Sequence, residues 1–219
     1  MNEPLLTRFR QGMSVLAEYL GAGVAGRKRT IADLAALQKF LDTRSSHIAQ
    51  TTLYGYLRTR AGTRFPVLFE NDAFVVSINH AKWQMWLACL SDLSVFAGGL
   101  LVLRSRAGPT AAGAAVCGAV DAILERTGIP DDCGPLFAEG AMAIRDRLGR
   151  CDWHALKDDE SAFTASPEAL VRHAPIIPEL MALDEEIVRN SVRFRWQEVR
   201  RELRAALDAD SILGRTVPS

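Results

Sequence analysis

The sequence predicts an all-α protein: a single-domain multi-helix bundle with a central apolar helix and a long C-terminal helix. Three observations lead there. Apolar residues recur every three or four positions along most of the chain, which places them on one face of a helix. No segment alternates with period two, none carries an Asn-Gly hairpin signal, and no internal repeat is visible. The breaks between the periodic stretches fall at glycine, proline and capping residues.

The elements follow in order. Leu6, Phe9, Met13, Leu16 and Leu20 share one helical face, and Gly21, Gly23 and Gly26 end that helix. Thr30 followed by Asp33 reads as the N-cap of a second helix with Ile31, Leu34, Leu37 and Leu41 as its stripe. Asp42-Thr43-Arg44-Ser45 reads as a turn, with Ser45 or Ser46 capping a third helix that runs to about Arg60. Gly62 to Asp72 is a break, since Pro66 excludes a normal helix interior and Asn71-Asp72 offers a new cap.

From about Ala73 to Leu103 the chain is strongly apolar and reads as one long helix or two in line. Gly108-Pro109 stops it. Thr110 to Arg126 is an Ala- and Gly-rich helix suited to close packing, and Gly128 to Pro135 is a connector. Leu136 to Leu148 forms a short amphipathic helix with Arg145 and Arg147 near its C-terminal end, where cations suit the dipole. Residues 157–167, with Lys157-Asp158-Asp159-Glu160 and Ser166-Pro167, read as a solvated loop or a subdomain joint inside a single domain over 1–219. The last helix is expected from Pro178 to Ala209, with Leu180, Leu183, Ile187, Val192, Trp196, Val199, Leu203 and Leu207 on its inner face.

Composition bounds the function classes. With 219 residues the chain can bury roughly 70% of its unfolded surface. Apolar residues are 48% and charged residues 24%, an ordinary globular mix that argues against wholesale disorder. Lys plus Arg equals Asp plus Glu at 26 each, so nucleic acid or anionic lipid would have to be met by a local patch. Cys89, Cys117, Cys133 and Cys151 contain no Cys-x-x-Cys pair and are too sparse for a disulfide scaffold. Met1 to Arg10 lacks the pattern of a signal peptide. Reduced thiols in a bacterial-type cytoplasm are the expectation.

Thr51 to Leu103 is the unusual stretch. Tyr54, Tyr56, Arg58, Arg60 and Arg64 crowd around two glycines, and His80, Lys82 and Trp83 stand at the mouth of the apolar helix. Basic and aromatic side chains together suit a phosphate, an acidic partner or a lipid headgroup region, whereas the same rings at helical spacing also suit a core. The run Tyr54-Gly55-Tyr56-Leu57-Arg58-Thr59-Arg60, followed by a Trp-containing helix, resembles uncharacterised proteobacterial helical proteins, some of them labelled esterases. The resemblance is confined to this stretch and names no catalytic residue.

Catalytic and metal motifs are sparse. There is no Gly-x-Ser-x-Gly elbow, Walker loop, Gly-x-Gly-x-x-Gly or His-Glu-x-x-His. Ser77 and His80 sit three apart, with Asp92 further along, and are the candidates for a small hydrolase lacking a familiar signature. Cys151 and His154 lie one turn apart, with Cys133 or His173 as a third donor, too few converging ligands to predict a zinc site. Neither a cofactor nor a metal is expected.

Residues 31–60 can be drawn as a helix-turn-helix presenting Arg44, His47, Thr51, Thr52, Tyr54 and Arg58, a DNA-binding alternative. Trp83 to Leu103 is long enough to span a bilayer, but Asp92 near its centre would cost on the order of 3 kcal/mol there. A buried central helix, with Asp92 paired to Arg or Lys from a neighbour, is the simpler expectation.

The leading expectation is therefore a non-enzymatic helical protein acting through a partner protein, as an assembly, scaffolding or regulatory factor. Its surface would be Tyr54 to Trp83, joined by the arginines of the last helix (Arg189, Arg193, Arg195, Arg200, Arg201 and Arg204), and self-association is a further option.

Overall fold

The computed structural model describes residues 30–214. Ile31–Ser219 make one compact unit. The helix expected over Leu6 to Leu20 and its glycine stop lie outside the described residues. What is described is all-α. Among these residues the sole extended pairing is a bridge between Ile31 and Leu207, in which Ile31 N donates to Ala206 O at 2.8 Å and Asp208 N donates to Ile31 O at 3.0 Å.

Helix α1 runs Leu34–Ala61, capped by Asp33, whose carboxylate accepts from Ala36 N at 2.7 Å. The turn expected at 42–45 does not exist, and α1 is one uninterrupted helix. The hydroxyls of that stretch lie within the helix. Thr43 Oγ1 bonds back to Lys39 O at 2.7 Å, and Ser45 is buried in the helix interface. A 3₁₀ turn, Gly62–Arg64, and a short helix α2, Phe65–Leu68, bridge to α3, Asp72–Arg104. Asn71 caps α3 by accepting from Phe74 N at 3.1 Å, as its sequence position implied.

α3 is the axis of the bundle. It packs against α1, against α4 (Gly108–Thr127), against α5 (Pro135–Gly149) and against α6 (Ala165–His173). The span from Cys89 to Leu101 is buried without a break. The helix is long and apolar enough to cross a membrane, and 83% of its most apolar stretch is buried within the fold. α7, Pro178–Ala206, lies against α1 and α6, and α8, Ala209–Gly214, closes on α3 and α4. The last helix thus ends earlier than Ala209, because Leu207 leaves it to bridge Ile31.

Two glycines set how closely the axis is approached. The Trp153 ring seats between α3 and α4 on the bare backbones of Gly98 and Gly113. A methyl at Gly98 would overlap the ring, and one at Gly113 would lie 2.7 Å from Trp153 Nε1. Gly98 therefore serves close packing.

Residues 157–167 do not form a solvated joint throughout. Ser166 and Pro167 are buried in the first turn of α6, where Ser166 meets Asp92.

Candidate functional site

Four of the Tyr/Arg/Trp set of residues 54–83 form two internal clamps. In the first, Tyr56 Oη donates to Asp184 Oδ2 of α7 at 2.9 Å, and Arg60 Nε pairs with the same oxygen. Burial and that carboxylate push the Tyr56 phenol up. In the second, Lys82 Nζ and Trp83 Nε1 donate to the two oxygens of Asp132 at 3.0 and 2.6 Å. Burial opposes the charge on Asp132, yet the two donors hold its carboxyl below the usual range. The Lys82 ammonium lies 4.8 Å from the Trp83 ring centre, and that ring sits edge-on to Trp86 and Phe137. Tyr54 and His80 are half-buried, and Arg58 and Arg64 are exposed.

Tyr56, Arg60, Lys82 and Trp83 are therefore spent on holding α1 to α7 and α3 to the α4–α5 connector. Local sequence could not show this, because Asp132 and Asp184 lie far along the chain.

The candidate catalytic residues do not meet. Ser77, His80 and Asp92 all lie on α3, so at 1.5 Å per residue Asp92 is roughly 22 Å from Ser77 and 18 Å from His80 along the axis. Ser77 is exposed and bonds back to Ala73 O at 2.9 Å, while Asp92 is fully buried. Cys151 is half-buried and His154 exposed, and the four cysteines are free. No group of three His, Cys, Asp or Glu placed to hold a metal occurs among the described residues. Because 34–61 is one helix, no helix-turn-helix is present over 31–60.

Asp92 does have the partner that its position demanded. Arg147 Nη1 donates to Oδ1 at 2.6 Å. The same carboxylate caps α6, accepting from Thr164 N, Ala165 N and Ser166 N at 3.2, 3.0 and 2.7 Å, while Thr164 makes no capping bond of its own. Ser166 Oγ donates to Asp92 Oδ2 at 2.6 Å and accepts from Trp196 Nε1 of α7 at 2.9 Å. Arg147 Nη2 reaches Ala162 O at 2.7 Å. Ser166, Asp92 and Trp196 are fully buried, and this network joins α3, α5, α6 and α7.

The open chemistry lies on α7. Its buried stripe is Met181, Val188, Val192, Trp196, Val199 and Leu203. Leu180, Leu183 and Ile187, expected on that inner face, are instead 38%, 76% and 70% exposed, and Phe194 is 70% exposed. At 100° per residue these four fall within an arc of about 60°, centred roughly 150° round the helix from the buried stripe. α7 therefore carries two apolar faces, and only one meets the core.

The outer face leads at Phe194 into a groove of about 830 Å³ between α7 and α1, lined also by Arg44, His47, Thr51 and Arg195. Arg44 pairs with Glu202 at 2.7 Å, and Arg201 with Glu198 at 2.8 Å. Burial first, then Arg44 and Arg195, hold His47 below its usual range. Glu179, Glu186, Arg193 and Arg195 make no ion pair among the described residues.

Sequence reading missed this surface because one period-3.6 row was assumed. The signal was there in Leu180, Leu183, Ile187 and Phe194, which cannot share a face with Trp196 and Leu203.

No protein family, curated protein or solved structure was found to match the chain.

Proposed function

We propose that this chain is a non-enzymatic helical interaction protein, an assembly, scaffolding or regulatory factor, which engages a partner protein through the outer face of α7. One observation carries the reading: the aligned row Leu180, Leu183, Ile187 and Phe194, exposed on a helix whose other face is already buried. Scattered apolar residues on a surface need no explanation, whereas a row of four on one helical face does. Such a row is the usual counterpart of a helix-in-groove or helix-on-helix contact. The charged wall of the adjoining groove adds orientation and steering.

The catalytic alternative has no supporting geometry, since its three residues are spread along one helix. The DNA-binding alternative lacks its turn. Arginines of α7 support the partner reading in part: Arg193 and Arg195 are exposed, while Arg189 is engaged by Glu168 and Arg204 by Asp158.

The test is quantitative co-purification from native cells of the full chain and of Leu183→Asp plus Ile187→Asp. Both side chains are exposed, so the double variant should keep the wild-type circular dichroism and melting behaviour. The reading expects the same protein to be retained by wild type and lost from the folded double variant. Equal retention by both would remove the face from the interaction.

A further inference from the structure

We propose that the occupant of the outer α7 face is a second copy of this chain, packed with its α7 antiparallel; this rests on the reading just given and names its partner. The argument is charge order along the helix. Glu179 and Glu186 stand in the first half of α7, and Arg193 in the second, on one flank of the apolar row; none of the three has an ion pair among the described residues. On antiparallel helices a flank faces the same flank of its copy with the direction reversed, so the acidic first half of this flank meets the basic second half of the other.

One register pairs Glu186 with Arg193 and seats Phe194 on the apolar row. With the two-fold axis between Arg189 and Asn190, Glu186 of each protomer faces Arg193 of the other. Phe194 then falls opposite position 185, between Leu183 and Ile187 of its partner. A ring entering the gap between two aliphatic side chains is knob-into-hole packing. The row from Leu180 to Phe194 spans roughly 21 Å, enough for about four helical turns of contact. The arrangement is isologous, so one patch serves both copies and the assembly closes at two. Antiparallel packing also opposes the two helix dipoles favourably.

The experiment is sedimentation velocity of the full chain over a wide concentration range, with wild type, Glu186→Arg, Arg193→Glu and the double reversal Glu186→Arg plus Arg193→Glu. The expected result is a concentration-dependent dimer. Each single reversal would weaken it by about tenfold, because two symmetric contacts of modest strength become repulsions. The double reversal would restore the dimer to near the wild-type constant, which a merely damaged surface could not do.

Three outcomes overturn the inference. A wild-type monomer at every concentration is one. A dimer indifferent to both single reversals is another, and a double reversal no better than the singles is the third. If the chain is monomeric and yet Leu183→Asp plus Ile187→Asp still loses a different co-purifying protein, the second copy is excluded while the interaction reading stands. If that loss is also absent, both fall.

Discussion

Asp92 ties its own helix to two others. It is a carboxylate with no exposed surface, compensated by the Arg147 guanidinium, by the first amides of α6 and by the Ser166 hydroxyl. Removing one partner of such a set leaves the others buried and unpaired, at a cost of about 3–5 kcal/mol. Asp92→Asn should reduce the unfolding free energy by that order in urea titration, with α6 the first element to lose amide-exchange protection. A change below about 1 kcal/mol would show that the network is not compensating a charge. Gly98 and Gly113 make a matching case in apolar packing. Gly98→Ala should cost about 1–3 kcal/mol by driving the Trp153 ring from its slot, with a shift in tryptophan emission. Combined with Trp153→Ala the two effects should be less than additive, since they act on the same slot. His47 sets a pH signature. Its folded pKa lies below the unfolded value, through burial, Arg44 and Arg195, so the unfolded chain binds a proton first as pH falls. The contribution is therefore full above about pH 6.5, declines as pH drops through that value and levels off below the folded one. His173 adds in the same direction through burial and Arg172. His47→Gln should flatten the fall in the urea midpoint between about pH 7.5 and 5.5, and an unchanged profile would contradict the assignment. At this scale the sequence showed which residue required a partner, since a carboxylate in an apolar helix cannot stand alone. It could not show that Arg147 and the α6 amides would both supply one, because those meet Asp92 only through tertiary packing.

The elements show where local signals carry and where they mislead. Asn71 caps α3 as its sequence position implied, because capping acts within a turn, whereas Gly108-Pro109, read as the stop of that helix, opens α4 after α3 has ended at Arg104. The serines at 45 and 46 mislead, since a hydroxyl that can cap a helix can equally lie within one. Ser46→Pro separates the two alternatives. Inside the continuous α1 it should cost about 3 kcal/mol or more, whereas near the start of a second helix proline would be tolerated. A thermal melt of that variant decides it, and a wild-type midpoint would contradict a single α1. α7 misleads in another way. Its apolar residues are too many for one stripe, and Leu183 and Ile187 belong to the row that the core leaves uncovered.

For the whole molecule, one description covers both the interior and the surface. α3 is wrapped by α1, α4, α5, α6 and α8, and the acidic residues Asp132 and Asp184 draw Tyr56, Arg60, Lys82 and Trp83 into internal contacts. All-α architecture and the central apolar helix were legible because they depend on period and punctuation. The surface was not, because its meaning depends on which charges and rings the tertiary fold uses up. After that accounting, the outer face of α7 and the groove beside it hold the uncommitted apolar and charged groups on which the functional reading rests.

The most direct test is photo-cross-linking in native cells from a photoreactive amino acid at position 187, with position 103, an exposed apolar site at the end of α3, as the control. The account predicts one discrete adduct from position 187, either a second copy or a defined protein, and none of that mass from position 103. Identical smears from both positions, or no adduct from 187 in cells that contain the folded chain, would contradict it.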